Sequence, residues 1–300
     1  MKKPSIGLIG YGYINSAVGE AFSHYTDVKA YDINKDLDNY VDVINQDILF
    51  LAVPTPMNKD GSVDTSIVES ALEKISNNII PNKVKPVIIK STIPPAQLGE
   101  MMLKHAENLL IIFSPEFLTE RTSKHDFIQS NRFIFGTLYE FDQTPEAKIV
   151  SELFELRFPS VPQYWTTFAE ASLVKYGANQ FFAVKISFMN ELKQLADAWG
   201  VNYNSLIGKI MLDPRIGRSH FQVPGHDGSL GYGGSCFLKD THAFINMAEE
   251  CGIDPIMAKA AWKKNLEVRT AIELTDEINR NIGRISSSAL TVDNVMKLGK

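Results

Sequence analysis

The chain has 300 residues, 44% of them hydrophobic and 22% charged, with a formal net charge of −5, which is ordinary for a soluble globular protein and long enough for two domains. A net acidic chain lacks the basic excess with which a general nucleic-acid binder neutralises phosphates, so no nucleic-acid partner is expected. Its two cysteines, Cys236 and Cys251, make no disulfide framework, and no Cys/His cluster has metal-ligand spacing, so no metal is expected and a reducing cytoplasm is the default setting.

Met1-Lys2-Lys3 is basic, but the apolar piece behind it is short and broken by Gly7, Gly10 and Gly12. It reads as a strand and turn, not as a signal peptide. Residues 6–9 form the first strand, closed by Gly10-Tyr11-Gly12, and a helix-like segment follows over 15–24. A second strand, 28–31, ends at Asp32. A third, 48–53, ends in the turn Pro54-Thr55-Pro56; it is the longest apolar stretch and far too short to span a bilayer, so no membrane partner is expected. Residues 65–77 read as helix, 87–89 as a strand ended by Lys90-Ser91-Thr92, 97–107 as helix, and 110–113 and 133–136 as further strands. Strands alternating with helices imply right-handed crossovers and a Rossmann-like, mostly parallel α/β sheet. The pattern changes near Phe168. Residues 168–199 contain no proline and one glycine, Gly177, and read as one long helix. A proline- and glycine-rich loop covers 213–234, then helix resumes at about Phe237 and runs to about Asn281. The tail from Ser286-Ser287-Ser288 is polar and reads as frayed. The expected division is 1–167 for the sheet domain and 168–300 for a long helix with an all-α domain.

Gly10-x-Gly12 directly after a first strand, with Asp32 ending the second, is a dinucleotide-binding arrangement. The glycines admit a pyrophosphate to the backbone and to a helix N-terminus. A carboxylate at Asp32 binds a ribose diol and repels a 2′-phosphate, which favours NAD over NADP. The third glycine of the pattern is Asn15 here, a departure that leaves the affinity for NAD open.

The most informative stretch is Gly231-Tyr232-Gly233-Gly234-Ser235-Cys236-Phe237-Leu238-Lys239-Asp240. Three glycines leave a backbone that can crowd a ligand. Cys236 follows at or near a helix N-terminus, where unpaired N–H groups favour the nucleophilic thiolate. The alternative is a glycine-rich turn with a small buried cysteine. Other polar groups stand where a mostly apolar fold does not need them: Lys90-Ser91-Thr92-Ile93-Pro94-Pro95 at the ligand edge of the sheet, and Ser114-Pro115-Glu116-Phe117-Leu118-Thr119-Glu120 after another strand. Lys175 and Asn179 are four apart on the long helix and share a face, a cation and an amide donor that suit an oxyanion. The alternatives are that Glu116 and Glu120 are solvated surface acids and that Lys175 and Asn179 form a wet helix face. His220 and His226 read as solvated loop histidines, the alternative being substrate contacts, and Cys251 reads as a small core residue inside a helix.

Together these segments resemble the UDP-glucose/GDP-mannose dehydrogenase family, the four-electron nucleotide-sugar dehydrogenases. The matching pieces run in family order: Gly10-x-Gly12, Val53-Pro54-Thr55-Pro56, Ser91-Thr92-Ile93-Pro94-Pro95, Ser114-Pro115-Glu116-Phe117-Leu118, Lys175-x-x-x-Asn179, Asn190-Glu191-Leu192 and Gly233-Gly234-Ser235-Cys236-Phe237-x-Lys239-Asp240. The resemblance implies oxidation of an alcohol to an aldehyde by NAD, capture of the aldehyde on Cys236, a second oxidation to a thioester, and hydrolysis to the acid. It implies that Lys175 and Asn179 steady the oxyanion, that Asp240 positions water or Lys175, and that Glu116 is the base for the hydrolytic water. Thr92 helps hold that water, and Glu120 is a supporting acid. Gly10, Gly12, Tyr13, Ile14, Asp32, Lys35, Pro54, Thr55 and Thr92 are the implied cofactor contacts. Phe117, Leu118, Gly233 and Arg215 are the implied substrate contacts, with Arg215 reaching across a homodimer built on the long helix.

Three departures accompany the match. For the family's third, C-terminal nucleotide-recognising domain, no strand-and-glycine pattern is found after about residue 281, and the expectation is a natural short form or a fragment with intact chemistry and weaker nucleotide recognition. Leu238 stands at a family proline. The loop between Arg215 and Gly231 is longer than usual. Two other functions compete: a two-electron β-hydroxyacid-type dehydrogenase, which shares Gly-x-Gly and Lys-x-x-x-Asn but needs no thiolate, and a degenerate paralogue that only binds cofactor.

Overall fold

The computed structural model describes residues 3–80, 83–139, 144–282 and 290–298. The chain divides into two compact units, Met1–Thr55 with Thr65–Lys175, and Pro56–Asp64 with Tyr176–Lys300.

The first unit alternates strands and helices: β1 (Ile6–Ile9), α1 (Tyr13–Phe22), β2 (Val28–Tyr31), α2 (Tyr40–Ile44), β3 (Ile48–Leu51), α3 (Ser66–Ser76), β4 (Lys85–Ile89), α4 (Pro95–His105), β5 (Leu109–Phe113), α5 (Ser123–Ile128), β6 (Phe133–Thr137), α6 (Pro145–Arg157) and β7 (Gln163–Thr167), then the first turns of α7 (Phe168–Ala198). They build a seven-stranded sheet in the order β2-β1-β3-β4-β5-β6-β7. The pairings are parallel except β5 with β6, which meet antiparallel at Phe113 and Gly136. All four residues of β1 and of β3 are buried, because helices cover both faces and the strands are continuous apolar runs. Alternate side chains enter opposite cores. Leu49, Leu51, Val87 and Ile89 pack with Leu72 of α3 and Leu98 of α4. Leu8, Phe50, Ile88 and Ile112 pack with Phe22 of α1 and Phe154 of α6.

The predicted strands and helices of this unit are present with ends shifted by a few residues. α2, α5, α6 and β7 escape the sequence reading. β7 is an edge strand with one buried residue in five, so it lacks an apolar run. α6 starts from Thr144, whose hydroxyl accepts the Ala147 N–H, and from Pro145 in its first turn.

The second unit is helical: α7 from Tyr176 onward, α8 (Tyr203–Ile210), α9 (Gly234–Glu250), α10 (Ile256–Val268), α11 (Ala271–Ile282) and α12 (Val292–Lys297). The stretch Pro56–Asp64 belongs to it and doubles back through a bridge between Met57 and Val63. Met57, Ala183, Tyr232, Leu238, Trp262 and Leu274 share one core. Met189, Tyr203, Ile207 and Val223 share another. His242 is buried against the Trp262 ring, 4.4 Å between centroids. Burial pushes its pKa down to about 3, so the folded chain keeps it neutral. That costs stability as pH falls below the unfolded value near 6.5, because the unfolded state then takes up a proton the folded state refuses.

Three expectations change. α9 begins at Gly234, not Phe237, so Cys236 lies in the first turn of the helix. Cys251 is exposed at the C-cap of α9 and is not a core residue; Gly252, at φ 72°, stops the helix just beyond it. A further helix, α12, follows where helix was expected to end. Of the tail predicted to fray from Ser286-Ser287-Ser288 onward, those three serines lie outside the described residues, and its later part is not frayed but forms α12, capped by Thr291.

Candidate active site

On the first unit, the implied cofactor contacts follow the ends of β1, β2, β3 and β4. Gly10 takes φ 78°, and a Cβ there would come within 2.4 Å of the Ala52 carbonyl oxygen. Gly12 is different. It is the N-cap of α1, no side chain caps that helix, and nothing lies within 4 Å of where its Cβ would be. Tyr13 and Ile14 form the first helical turn. The carboxylate of Asp32 accepts the Tyr11 N–H at 2.8 Å and the Asn34 N–H at 2.9 Å. Lys35 donates to the Tyr11 carbonyl and lies over its ring. Asn15 is fully buried, and its amide nitrogen donates to the carbonyls of Ile9, Gly10 and Phe50 at 3.1, 2.8 and 3.2 Å. It therefore ties α1 to β1 and β3 by hydrogen bonds where the sequence pattern has a glycine for close packing. The Ser91 hydroxyl accepts the Val53 N–H at 3.0 Å and donates to the Val53 carbonyl at 2.6 Å. That clasp ties the Pro54-Thr55 turn to the loop carrying Thr92, which is partly buried.

The same unit buries an ion pair. The Lys175 ammonium lies 2.9 Å from Glu116 Oε1 and donates to the Glu116 carbonyl at 2.7 Å, with both side chains 4% exposed. The other carboxylate oxygen accepts the Leu118 N–H at 2.6 Å. Two cations lie over the Phe117 ring, Arg132 at 4.4 Å and Lys175 at 5.7 Å from its centre. Glu116 and Lys175 are thus neither a surface acid nor a wet helix face. Glu120 is exposed at the start of a short 3₁₀ turn. Lys90 is also buried here, and its ammonium donates to Ser114 Oγ at 3.2 Å. Burial pushes its pKa down to about 7; Glu116 opposes that shift and Lys175 adds to it. Sequence reading quoted Lys90 in its motif and gave it no role, since nothing in the pattern distinguishes a buried lysine from an exposed one.

On the second unit, Cys236 is partly buried in the first turn of α9. Asp240, one turn further on, is 1% exposed. Its carboxylate accepts the Asn179 amide at 2.6 Å and the Lys239 ammonium. Two of the three glycines ahead of Cys236 make room for the protein's own side chains, not only for a ligand. Gly231, at φ 69°, would place a Cβ 2.2 Å from Asn265 Oδ1, and Gly233 would place one 2.3 Å from both Arg269 and Glu277. The loop's amides are satisfied by side chains: Gly231 N–H by Asn190 Oδ1 at 3.1 Å, Tyr232 N–H by Asn265 Oδ1 at 2.7 Å and Gly234 N–H by Glu277 Oε2 at 3.0 Å. Arg269, 3% exposed, pairs with Glu277 and Asp227. Asn265, Arg269 and Glu277 carry no motif and are visible only in the fold. His220 is not a solvated loop residue: with φ 57° it stacks on Phe182 at 4.0 Å and meets Phe237 edge-on. His226 is exposed, as expected. Arg215 is exposed and held by Asp213 in a 3₁₀ turn. Along α7, Phe181, Phe188 and Leu195 are 63, 57 and 57% exposed, and Trp199, just past its end, is 79% exposed. Among the described residues no group of His, Cys, Asp and Glu could hold a metal, and no helix is long and apolar enough to cross a membrane.

A mostly parallel sheet with a glycine turn, an open helix N-terminus and an acidic residue just after β2 defines a dinucleotide-binding α/β protein, and these residues fit NAD. Residues 20–156 match the NAD binding domain, and residues 169–267 the central domain, of the UDP-glucose/GDP-mannose dehydrogenase family; the chain belongs to that family. It is 29% identical over 302 residues to the UDP-glucose 6-dehydrogenase AglM of Haloferax volcanii, covering 87% of this chain and 69% of that protein. It is 33% identical over 227 residues to the UDP-glucose 6-dehydrogenase of Rickettsia typhi, covering 75% and 50%. Among solved structures, a UDP-glucose dehydrogenase from Pyrobaculum islandicum superimposes with a TM-score of 0.78 at 28% identity, over 93% of this chain and 71% of that one. The chain spans about half the length of most of the curated relatives it matches.

The two glycines of the turn separate folding from binding. Gly12→Ala is expected to change stability by no more than about 1 kcal/mol, the scale of an N-cap substitution, while weakening NAD binding about tenfold or more. Gly10→Ala is expected to destabilise by about 2 kcal/mol or more, because both its backbone angle and its Cβ are disallowed. Thermal melts and NAD titration calorimetry on both variants check this; equal melting losses would contradict it.

Proposed function

We propose that the chain oxidises the primary alcohol of a nucleotide sugar, of the UDP-glucose type, to the acid in two NAD-dependent steps through a covalent intermediate on Cys236. The observation that carries this reading is Cys236 in the first turn of α9, with Asp240 one turn behind it and holding the Asn179 amide. NAD, when bound, accepts the hydride in each oxidation. Cys236 adds as thiolate to the aldehyde carbon, and the thiohemiacetal is oxidised to a thioester. Lys175 and Asn179 stabilise the oxyanion with a cation and an amide donor. Glu116 takes a proton from the water that cleaves the thioester, with Thr92 helping to hold that water and Glu120 as a supporting acid. Phe117, Leu118, Gly233 and Arg215 contact the substrate. Gly10, Gly12, Tyr13, Ile14, Asp32, Lys35, Pro54 and Thr55 bind NAD. In this reading residues 1–167 serve the cofactor and residues 168–300 the dimer, and the cytoplasm keeps Cys236 reduced.

The expected stoichiometry is two NADH per acid formed. Cys236→Ser is expected to lower acid output at least about a thousandfold, the scale of losing a nucleophile, with NAD binding intact. One NADH per product would favour the two-electron β-hydroxyacid reading. NAD binding without turnover of any nucleotide sugar would favour the degenerate paralogue.

The homodimer is proposed on the α7 stripe. Phe181, Phe188 and Leu195 recur at seven-residue steps, and with Trp199 they expose an apolar row that a second copy would cover. Sedimentation is expected to give a dimer for the natural chain and a monomer for Phe188→Glu; a monomeric natural chain would refute it.

A further inference from the structure

Lys90 is buried, 3% exposed, and lies at the end of β4. Among the described residues the one hydrogen-bond partner of its ammonium is a neutral hydroxyl, Ser114 Oγ. Its charged neighbours are Glu116, in the loop after β5, and Lys175 of α7. Glu116 is already committed to Lys175 at 2.9 Å. Two buried lysines therefore face one buried carboxylate, and full ionisation would leave one cation more than Glu116 balances. The least costly relief is loss of one proton. Lys175, bonded twice to Glu116, is the lysine whose charge is compensated; Lys90 is the one whose charge is not.

Lys90 and Glu116 also line one cavity of about 350 Å³, together with Phe117, His125, Asp126 and Arg132. His125 is exposed, so the cavity joins a buried lysine and a buried carboxylate to solvent.

We propose that Lys90 is a proton relay: in its neutral form it accepts the proton that Glu116 has taken from the hydrolytic water, and it passes that proton to solvent by way of this cavity. The inference rests on the covalent reading above and assigns a role to a residue that reading leaves unused. The step balances. Water adds to the thioester carbon, the C–S bond breaks and its electron pair returns to Cys236 as thiolate. The water proton goes to the Glu116 carboxylate, then to the Lys90 amine, then to bulk water, and Glu116 is again ionised. Lys90 acts through Glu116 and does not touch the reacting carbon. Neutral Lys90 is available near neutral pH because burial pushes its pKa to about 7. The sign follows: protonated Lys90 cannot accept, so the hydrolytic step should rise as pH passes through that value and level off above it.

Two measurements on the full chain test this. In single turnovers with UDP-glucose and NAD, Lys90→Met and Lys90→Arg are both expected to slow thioester hydrolysis about tenfold at pH 8 and to remove its rise near pH 7, while the first NADH forms within twofold of the natural rate. A structural role would be rescued by Met, which keeps the shape, or by Arg, which keeps the charge. Hydrolysis in Lys90→Met that keeps both its rate and its pH limb would overturn the relay. Independently of turnover, the Lys90 side-chain amine signal in 15N-lysine NMR, assigned by its loss in Lys90→Met, should titrate near 7. A Lys90 still protonated at pH 9 would also overturn it. Undiminished acid output from Cys236→Ser would instead remove the covalent reading, and the relay with it, even if Lys90 titrates as expected.

Discussion

The backbone just ahead of Cys236 has no ladder to hold it. Residues 231–234 lead from a loop into the start of α9, and the amides of Gly231, Tyr232 and Gly234 are satisfied by side chains from other helices: Asn190 of α7, Asn265 of α10 and Glu277 of α11. Asn265 also donates back to the Tyr232 carbonyl at 2.9 Å, so one amide group pairs with both polar groups of one residue. This is why two of the glycines cannot be replaced without collision. The geometry of the thiol is thus set by a polar cradle, and it is as rigid as that cradle is complete.

Charge is arranged differently in the two units. In the helical unit the buried Arg269 has Glu277 and Asp227 beside it, and the partly buried Lys239 has Asp240. In the sheet unit two buried lysines share one carboxylate. Paired charges fix positions; an unpaired one stores a proton that can leave. The proposed roles follow that difference, with orientation of the sulfur assigned to the first set and proton movement to the second.

Much of the sheet unit was legible because its strands are apolar runs ended by Gly, Asp, Pro or Lys-Ser-Thr punctuation. β7 was not, because an edge strand needs only one buried residue. The helical unit was legible as helix but not in register: α9 starts three residues earlier than propensity suggests, since Gly233 and Gly234 are poor helix formers and only the tertiary cradle fixes that turn. The candidate catalytic residues could be quoted from motifs, but their burial could not. Lys175 and Glu116 looked equally suited to water, and a buried ion pair leaves no mark in sequence spacing. Asn15 illustrates the converse. It broke the glycine pattern, yet its amide tightens the helix on the sheet by bonding three carbonyls.

The central claim is that the Cys236 sulfur bonds to the sugar carbon during turnover. Acid-quenching the reaction with UDP-glucose and NAD, then digesting and weighing the peptides, tests it most directly. The account predicts a peptide containing Cys236 carrying the mass of the oxidised nucleotide sugar, at a level that rises and then decays as NADH accumulates. Turnover to the acid with that peptide unmodified at every quench time would contradict it.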